Sequence, residues 1–543
     1  MYIAPNSTIK ILSNVKLKKD LSHTFLFGSS AAQSSYFSSK TAYILDTQSY
    51  QRSYSNKMRI EKKVDDLYNC NYLMFQNTSF GSKWFYAFIT NVEYVNNVTT
   101  EITYEIDPMQ TFLFDGQLNP CFVEREHAES DNIGENILPE PVELGEYRFS
   151  GRTNIIGTDK AVVIAISDEE GVSQGRSYDG IYSGCDLWVF KENDYSSINS
   201  KLENYIGSPE SVLNIYTIPS LLVGGSGNIP TGGKRLNSLA SSSVEHLTLS
   251  KPTGNESFDS YTNVKNKKLF TYPYNYLMIS NFSGQSLNLR YEWFTAAPEL
   301  EIEGTFLNPV KLVCRPCGYK GLPSHDSLGG YSASDSEQIT LESYPLCSWN
   351  VDTYKSWVAQ NSIPIVLNTV SGVAQAAIAG KFSTSPTGSL ISGAFGQIAG
   401  LVGQFYQASV AADQCRGNTN SGNVNVAKNK QKFVYERAHV SRDYARQIDD
   451  FFTMYGYAQN RIKTPNRNAR PEFTYVKTVG SNITGNIPAN YLEQINAAYD
   501  KGITFWNNPE NIYNYNVDNS PYDYWKEWKN GKKRQFLVKC LLE

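Results

Sequence analysis

Between Lys355 and Asp413 the chain carries one charged residue, Lys381, in 57 positions. Charged residues are 19% of the whole chain, a share that would place about eleven in a stretch of this length. So little charge leaves such a segment few settings: a seam against other protein, the interior of an oligomer, or lipid. The segment divides into two arms, 363–380 and 389–412, joined by Lys381-Phe-Ser-Thr-Ser-Pro-Thr-Gly388, which reads as a turn between two helices. On a helix, Gly393, Gly396, Gly400 and Gly403 form one stripe at steps of three, four and three, and Gly372, Ala376 and Gly380 form another at steps of four. Stripes of small residues let helices approach closely where no hydrophobic effect drives them together, as in a bilayer. In water each such glycine would cost about 1 kcal/mol relative to alanine. Around the stripes lie the apolar anchors Ile365, Val366, Leu367, Leu390, Ile391, Phe395, Ile398, Leu401, Val402 and Phe405.

Arms of 18 and 24 residues are close to the length that crosses a hydrocarbon core of about 30 Å at about 1.5 Å per residue. Their polar residues, Asn368, Thr369, Ser371, Gln375, Gln397 and Gln404, are neutral and suit a bundle interior or a water-filled pore. Lys381 falls at the hairpin tip, where it can stay hydrated or reach a lipid headgroup. A long Gly/Ala/Ser-rich loop, or a hairpin buried within an oligomer, fits the pattern too.

Elsewhere the text favours strands. Aromatic residues are 13% of the chain, with abundant glycine. Thr100-Glu-Ile-Thr-Tyr-Glu-Ile106 alternates polar and apolar residues, and with 83–90 and the Asn96-Asn97 turn it predicts a β-hairpin. Ala161-Val-Val-Ile-Ala-Ile166 reads as a buried strand, and Gly224-Gly-Ser-Gly-Asn-Ile-Pro-Thr-Gly-Gly233 as a surface loop. Val434, Ala438, Ala445, Ile448, Phe451, Phe452 and Tyr455 predict a helix to about residue 458, and a second runs from Ala489 to about Tyr499, ended by Gly502. The fold class expected is mainly β with some α, in several domains. Residues 49 basic and 53 acidic give a net charge of −4, which excludes a polybasic nucleic-acid clamp and an acidic tail. The first twenty residues lack a signal-peptide core, so secretion by that route is not expected. Eight scattered cysteines are too sparse for a disulfide scaffold.

Few motifs in the sequence carry chemistry. Cys314-x-x-Cys317 has zinc-ligand spacing, with Cys347 and His325 as further donors, yet no second such pair follows. Buried free thiols, no metal and no cofactor are the expectation. Gly227 to Arg235 and Gln375 to Phe382 both fail the phosphate-loop pattern, and HExxH and GxSxG motifs are absent. His127 and His439 sit in charged phrases that predict salt-linked structural histidines, and Glu124, Arg125, Glu126 and His127 read as an ion-pair cluster at a subunit contact.

Several phrases resemble the tail knob, or distal tube, proteins of small short-tailed phages of the Picovirinae type. They are Tyr104-Glu-Ile-Asp-Pro-Met-Gln-Thr-Phe-Leu-Phe-Asp115, Phe122-Val-Glu-Arg-Glu-His127, Pro345-Leu-Cys-Ser-Trp349 with Ser356-Trp-Val-Ala-Gln-Asn361, and Asp449-Asp-Phe-Phe-Thr-Met-Tyr-Gly-Tyr457. Lys463-Thr-Pro-Asn-Arg-Asn-Ala-Arg-Pro471 and Gly502-Ile-Thr-Phe-Trp506 continue in the same order, and the resemblance is weakest over 150–345. It implies a non-enzymatic virion protein, a homo-oligomer and by analogy a hexamer, forming a mainly β tube with β-barrel-like domains at the distal tail. The implied neighbours are an upstream tail tube or collar protein and a tail-tip protein, with phage DNA passing through the lumen without sequence-specific binding. The uncharged segment, matching by position, is then a long hydrophobic loop or helical hairpin that plugs the tube and emerges to form a channel in host cytoplasmic membrane lipid. The division expected is 1–145, an N-terminal tube domain; 146–350, tube wall and decorations; 351–417, the plug; and 418–543, a helix-containing tube region. A cell-wall hydrolase, whose paired carboxylates would leave no local signature, and a receptor-binding adhesin are the alternatives.

Overall fold

The computed structural model describes residues 6–48, 56–78, 81–156, 159–167, 176–178, 181–183, 185–205, 211–236, 244–281, 284–305, 310–344, 349–350 and 433–512. The described residues are mainly strand, as the composition predicts. Two compact units share the chain: Met1–Gly145 with Ser257–Leu269 and Ser441–Glu543, and Glu146–Glu256 with Phe270–Val440. The first unit is therefore assembled from three separate stretches.

In that unit a six-stranded antiparallel sheet runs in the order Thr41–Gln48, Ser7–Ser13, Cys70–Asn77, Phe85–Asn96, Thr99–Ile106, Lys57–Ile60. The expected hairpin is present, with Asn96 opposite Thr99, so its turn is Asn97-Val98. Alternation does the sorting: Thr100, Ile102, Tyr104 and Ile106 are buried while the residues between them are half-exposed. One face of the sheet collects Ile11, Leu73, Phe75, Ala87 and Ile102; the other collects Leu12, Tyr72, Met74 and Tyr86 around Phe37 of the helix Ser30–Ser39. A second sheet, ordered His23–Phe25, Ile503–Trp506, Phe473–Val479, Cys121–Glu126, Tyr457–Lys463, is antiparallel except at its first pair. Against it packs the helix Ala489–Lys501 through Ile495, Ala498 and Tyr499. Gly502 stops that helix, as its sequence predicts, at a backbone φ of +101° that side-chain-bearing residues resist.

The second unit is built around Lys160–Ile166, which lies between Asp186–Lys191 and Val212–Pro219 in a five-stranded antiparallel sheet. Every residue from Ala161 to Ile166 is buried because both faces are covered. Ala161, Val163 and Ala165 enter the larger core; Val162, Ile164 and Ile166 meet Ile198 and Leu202 of the helix Tyr195–Glu203. Each large member of such a strand contributes about 1.5–3 kcal/mol by burial. A four-stranded sheet, Val244–Thr248, Phe294–Gly304, Val310–Tyr319, Ile339–Tyr344, sends Leu300, Ile302, Leu312, Cys314, Ile339 and Leu341 into the larger core.

One expectation is corrected. Val434–Val440 is a strand, paired on one side with Tyr147–Asn154 and on the other with Asn275–Ser280. The helix begins only at Arg442 and runs to Tyr455. Val434 and Ala438 have helical spacing, but Val434, Glu436, Ala438 and Val440 equally share one parity and are all buried. Two flanking strands satisfy the backbone on both edges, which outweighs local helix preference.

Candidate functional site

All the residues singled out in the uncharged segment, from Ile365 to Phe405 and including Lys381 and both glycine stripes, lie outside the described residues. Among the described residues no helix is long and apolar enough to cross a membrane. The other distinctive phrases are largely described, and three of them converge inside the first unit.

Their centre is Asp449, fully buried on the helix Arg442–Tyr455. Its carboxylate accepts hydrogen bonds from the Tyr261 hydroxyl at 2.7 Å and from the backbone N–H of Lys265, the backbone N–H of Asn266 and the Asn266 amide, each at 2.9 Å. Burial pushes its pKa above the ordinary aspartate range and the donors pull it back. Asn266 also donates to the Asp449 carbonyl at 2.9 Å and to Thr453 Oγ1 at 2.7 Å, and its own oxygen accepts from Arg470 at 3.0 Å. Tyr457 donates to Asp131 at 2.6 Å. The thirteen residues Ser257–Leu269 are thereby tied to the C-terminal stretch of the same unit.

Beside this lies a buried ion cluster. Glu140 accepts from Lys268 Nζ at 2.6 Å and from the Ala458 N–H at 2.8 Å, and pairs with Arg125, whose guanidinium also donates to the Gly456 carbonyl at 2.6 Å. Burial, with the Arg125 charge nearby, pushes Lys268 below the ordinary lysine range. Gly456 sits at φ +66°, and a Cβ there would collide with the Glu126 carbonyl. Glycine is thus required by both conformation and space.

The phrase Glu124 to His127 forms ion pairs with residues distant in sequence. Glu124 meets Lys477 at 2.8 Å, Glu126 meets Lys463, and Arg125 meets Glu140. His127 corrects its expectation, because both of its ring nitrogens face backbone: Nδ1 accepts the Tyr475 N–H at 2.9 Å, and Nε2 lies 3.1 Å from the Thr453 carbonyl. That pair of partners fits one neutral tautomer, with the proton on Nε2. Burial first, then the charge of Arg470, holds its pKa down to about 3. His439 is buried too, with Nδ1 2.9 Å from the Val440 carbonyl.

The phrase Tyr104 to Asp115 carries a similar buried element. Asp107 caps the short helix Pro108–Thr111 by accepting the Gln110 N–H at 3.1 Å, and accepts the Tyr72 hydroxyl at 2.8 Å. Gln110 donates in turn to Thr24 Oγ1 at 2.8 Å and the Phe25 carbonyl at 2.9 Å. These phrases are interior fastenings.

Cys314 and Cys317 lie on one strand, Val310–Tyr319, and an odd separation sends their sulfurs to opposite faces. Cys314 is in the larger core, opposite Ile302, while Cys317 is opposite Glu299. The pair therefore cannot chelate one ion. Burial pushes both thiols up to about 12, so neither is a nucleophile near neutral pH.

The family described as Bacillus phage phi29, tail knob protein gp9, C-terminal domain, matches residues 242–520, just over half of the chain. The Caudoviral major tail protein N-terminus matches residues 5–117. The tail knob proteins gp9 of Bacillus phages B103, PZA and phi29 are each 25% identical, covering 95% of this chain and 99% of theirs. The solved tail knob protein gp12 of bacteriophage C1 has the same fold, with a TM-score of 0.61 at 14% identity over 93% of this chain and 98% of that one. These relatives are named as structural tail components and not as enzymes. The chain belongs to the tail knob protein family of short-tailed phages, a structural part of the virion tail.

Proposed function

We propose that the chain is the subunit of a hexameric distal tube through which DNA leaves the virion, and that 351–417 plugs this tube at rest and forms a channel in the host cytoplasmic membrane during delivery. The observation that carries this reading is the segment with one charge in 57 residues, set within a chain of the tail knob family. A hydrophobic segment sheltered in a lumen stays soluble until the particle is triggered; exposed on a free subunit it would be an aggregation site. In lipid, the two small-residue stripes bring the arms together and the neutral polar residues turn towards water. A lumen of balanced charge would let DNA slide, because one dense in Lys and Arg would add phosphate contacts and friction. Residues 1–145 and 418–543 would build the tube, and 146–350 its wall and decorations. An upstream tube or collar protein and a tail-tip protein would abut it.

The test is dye release from liposomes across pH by the full chain and by a version lacking 362–412, both assembled to the same size. Release that depends on the segment supports the channel. No release at any pH, with assembly intact, leaves a passive structural tube. Cell-wall cleavage or glycan binding by the same protein would instead favour a hydrolase or an adhesin.

A further inference from the structure

The sheet Val244–Thr248, Phe294–Gly304, Val310–Tyr319, Ile339–Tyr344 has one face in the larger core of the second unit. On the opposite face the register sets His246 against Glu301, Glu301 against Arg315, and Cys317 against Glu299. Alternation brings His246, Glu301 and Cys317 up together from three neighbouring strands. Their donor atoms, an imidazole nitrogen, a carboxylate oxygen and the sulfur, all lie within 4.8 Å of one another.

We propose that these three residues are a binding site for a zinc-class divalent cation. Glu301 is 8% exposed and Cys317 2%, so these two donors are shielded from bulk water, while the His246 side chain is 25% exposed. His246 Nδ1 is buried without a hydrogen-bond partner, a state that normally calls for one. Its Nε2 is 3.9 Å from Glu301 Oε2, while Oε1 of the same carboxylate accepts from Arg315 at 2.7 Å. Arg315 thus orients the carboxylate through one oxygen and leaves the other for the ion. Tyr331 stacks on the His246 ring at 3.8 Å between centroids.

The donor set selects the metal. One nitrogen, one oxygen and one sulfur suit Zn²⁺ and its first-row neighbours, whereas Mg²⁺ and Ca²⁺ prefer oxygen alone. Bonds of about 2.0–2.3 Å to a tetrahedral centre put ligand atoms about 3.5 Å apart, so the side chains need draw in by only about 1 Å. Cys317 binds as thiolate, releasing its proton to solvent, and a fourth position is left for water. The site would staple the edge strand Val244–Thr248 to the strand two places away. His246 and Glu301 have no local motif around them, and only strand register brings them beside Cys317.

The experiment is Co²⁺ titration of the chelator-stripped, reduced full chain. Expected are one Co²⁺ per chain, a thiolate-to-cobalt charge-transfer band, loss of that band when Zn²⁺ is added, and its persistence under excess Mg²⁺. Cys317→Ala and His246→Gln, matched to the parent by circular dichroism, should lose the band, and Cys314→Ala should keep it. Absence of the band in the parent chain, or its survival in both Cys317→Ala and His246→Gln, overturns the proposal. So does its loss in a folded Cys314→Ala chain.

Discussion

Replacing His127 with glutamine isolates a single titration in the interior of the first unit. The ring is fully buried, Nδ1 accepts the Tyr475 N–H, and Nε2 faces the Thr453 carbonyl. A proton added to Nδ1 would point at another N–H, so the folded state holds the neutral ring. Its pKa is lowered from 6.5 to about 3. The unfolded chain therefore binds the proton that the folded chain refuses between those values, and stability falls as pH drops through this window. The slope approaches about 1.4 kcal/mol per pH unit, and the loss between pH 7 and pH 5 is about 2 kcal/mol. Below about pH 3 the folded ring also titrates, and the loss levels off near 5 kcal/mol. Glutamine keeps a donor near the Nε2 position and does not titrate. Urea unfolding of both proteins at pH 7 and pH 5 should show the parent losing about 2 kcal/mol more than His127→Gln, with all other titrations cancelling in the difference. Equal losses would refute the assignment of a neutral, backbone-locked His127.

Other perturbations test other parts of the chain. Asp449→Ala strips four donors of their acceptor and should cost about 3–5 kcal/mol in urea unfolding, so a loss below about 1 kcal/mol would contradict its role as a fastening. Gly456→Ala, which forces a Cβ into the Glu126 carbonyl at a positive φ, should cost about 2–4 kcal/mol by the same assay. Ile164→Ala opens a cavity against Ile198 and Leu202 and should cost about 2–5 kcal/mol, read as a lowered thermal midpoint. Gly396→Ile with Gly400→Ile should suppress liposome leakage far more than changes at Ser383 or Thr384; equal leakage would remove the glycine stripe from the mechanism.

What was legible in the sequence was what repeats locally. The alternation of Thr100 to Ile106, the unbroken apolar run 161–166 and the Gly502 stop each state their structure within a few residues, because strand parity and left-handed backbone are local properties. Val434 and Ala438 also fit helical spacing, and only the two partner strands of Val434–Val440, far off in sequence, decide for strand. The interior fastenings were illegible for the same reason. Glu126 and Lys463 lie 337 residues apart, and Arg125 and the Gly456 carbonyl 331. A charged phrase such as Glu124 to His127 reads as a local ion-pair cluster at a subunit contact until its partners are known.

That contrast bears on which residues of a tail knob protein carry its resemblance to relatives. Buried charge is expensive unless every group is paired, so removing one partner of Asp449, Glu140 or Arg125 leaves the rest stranded. A phrase holding one half of such a pair depends on another stretch of chain, 128 residues away for Glu140 and Lys268 and 183 for Asp449 and Asn266. Apolar positions of the core tolerate exchange of similar volumes and so lose their identity faster. The uncharged segment obeys a different rule. The channel role proposed for it would ask only for small residues at suitable steps and the exclusion of charge, which fixes a composition and a spacing while leaving the letters between them free.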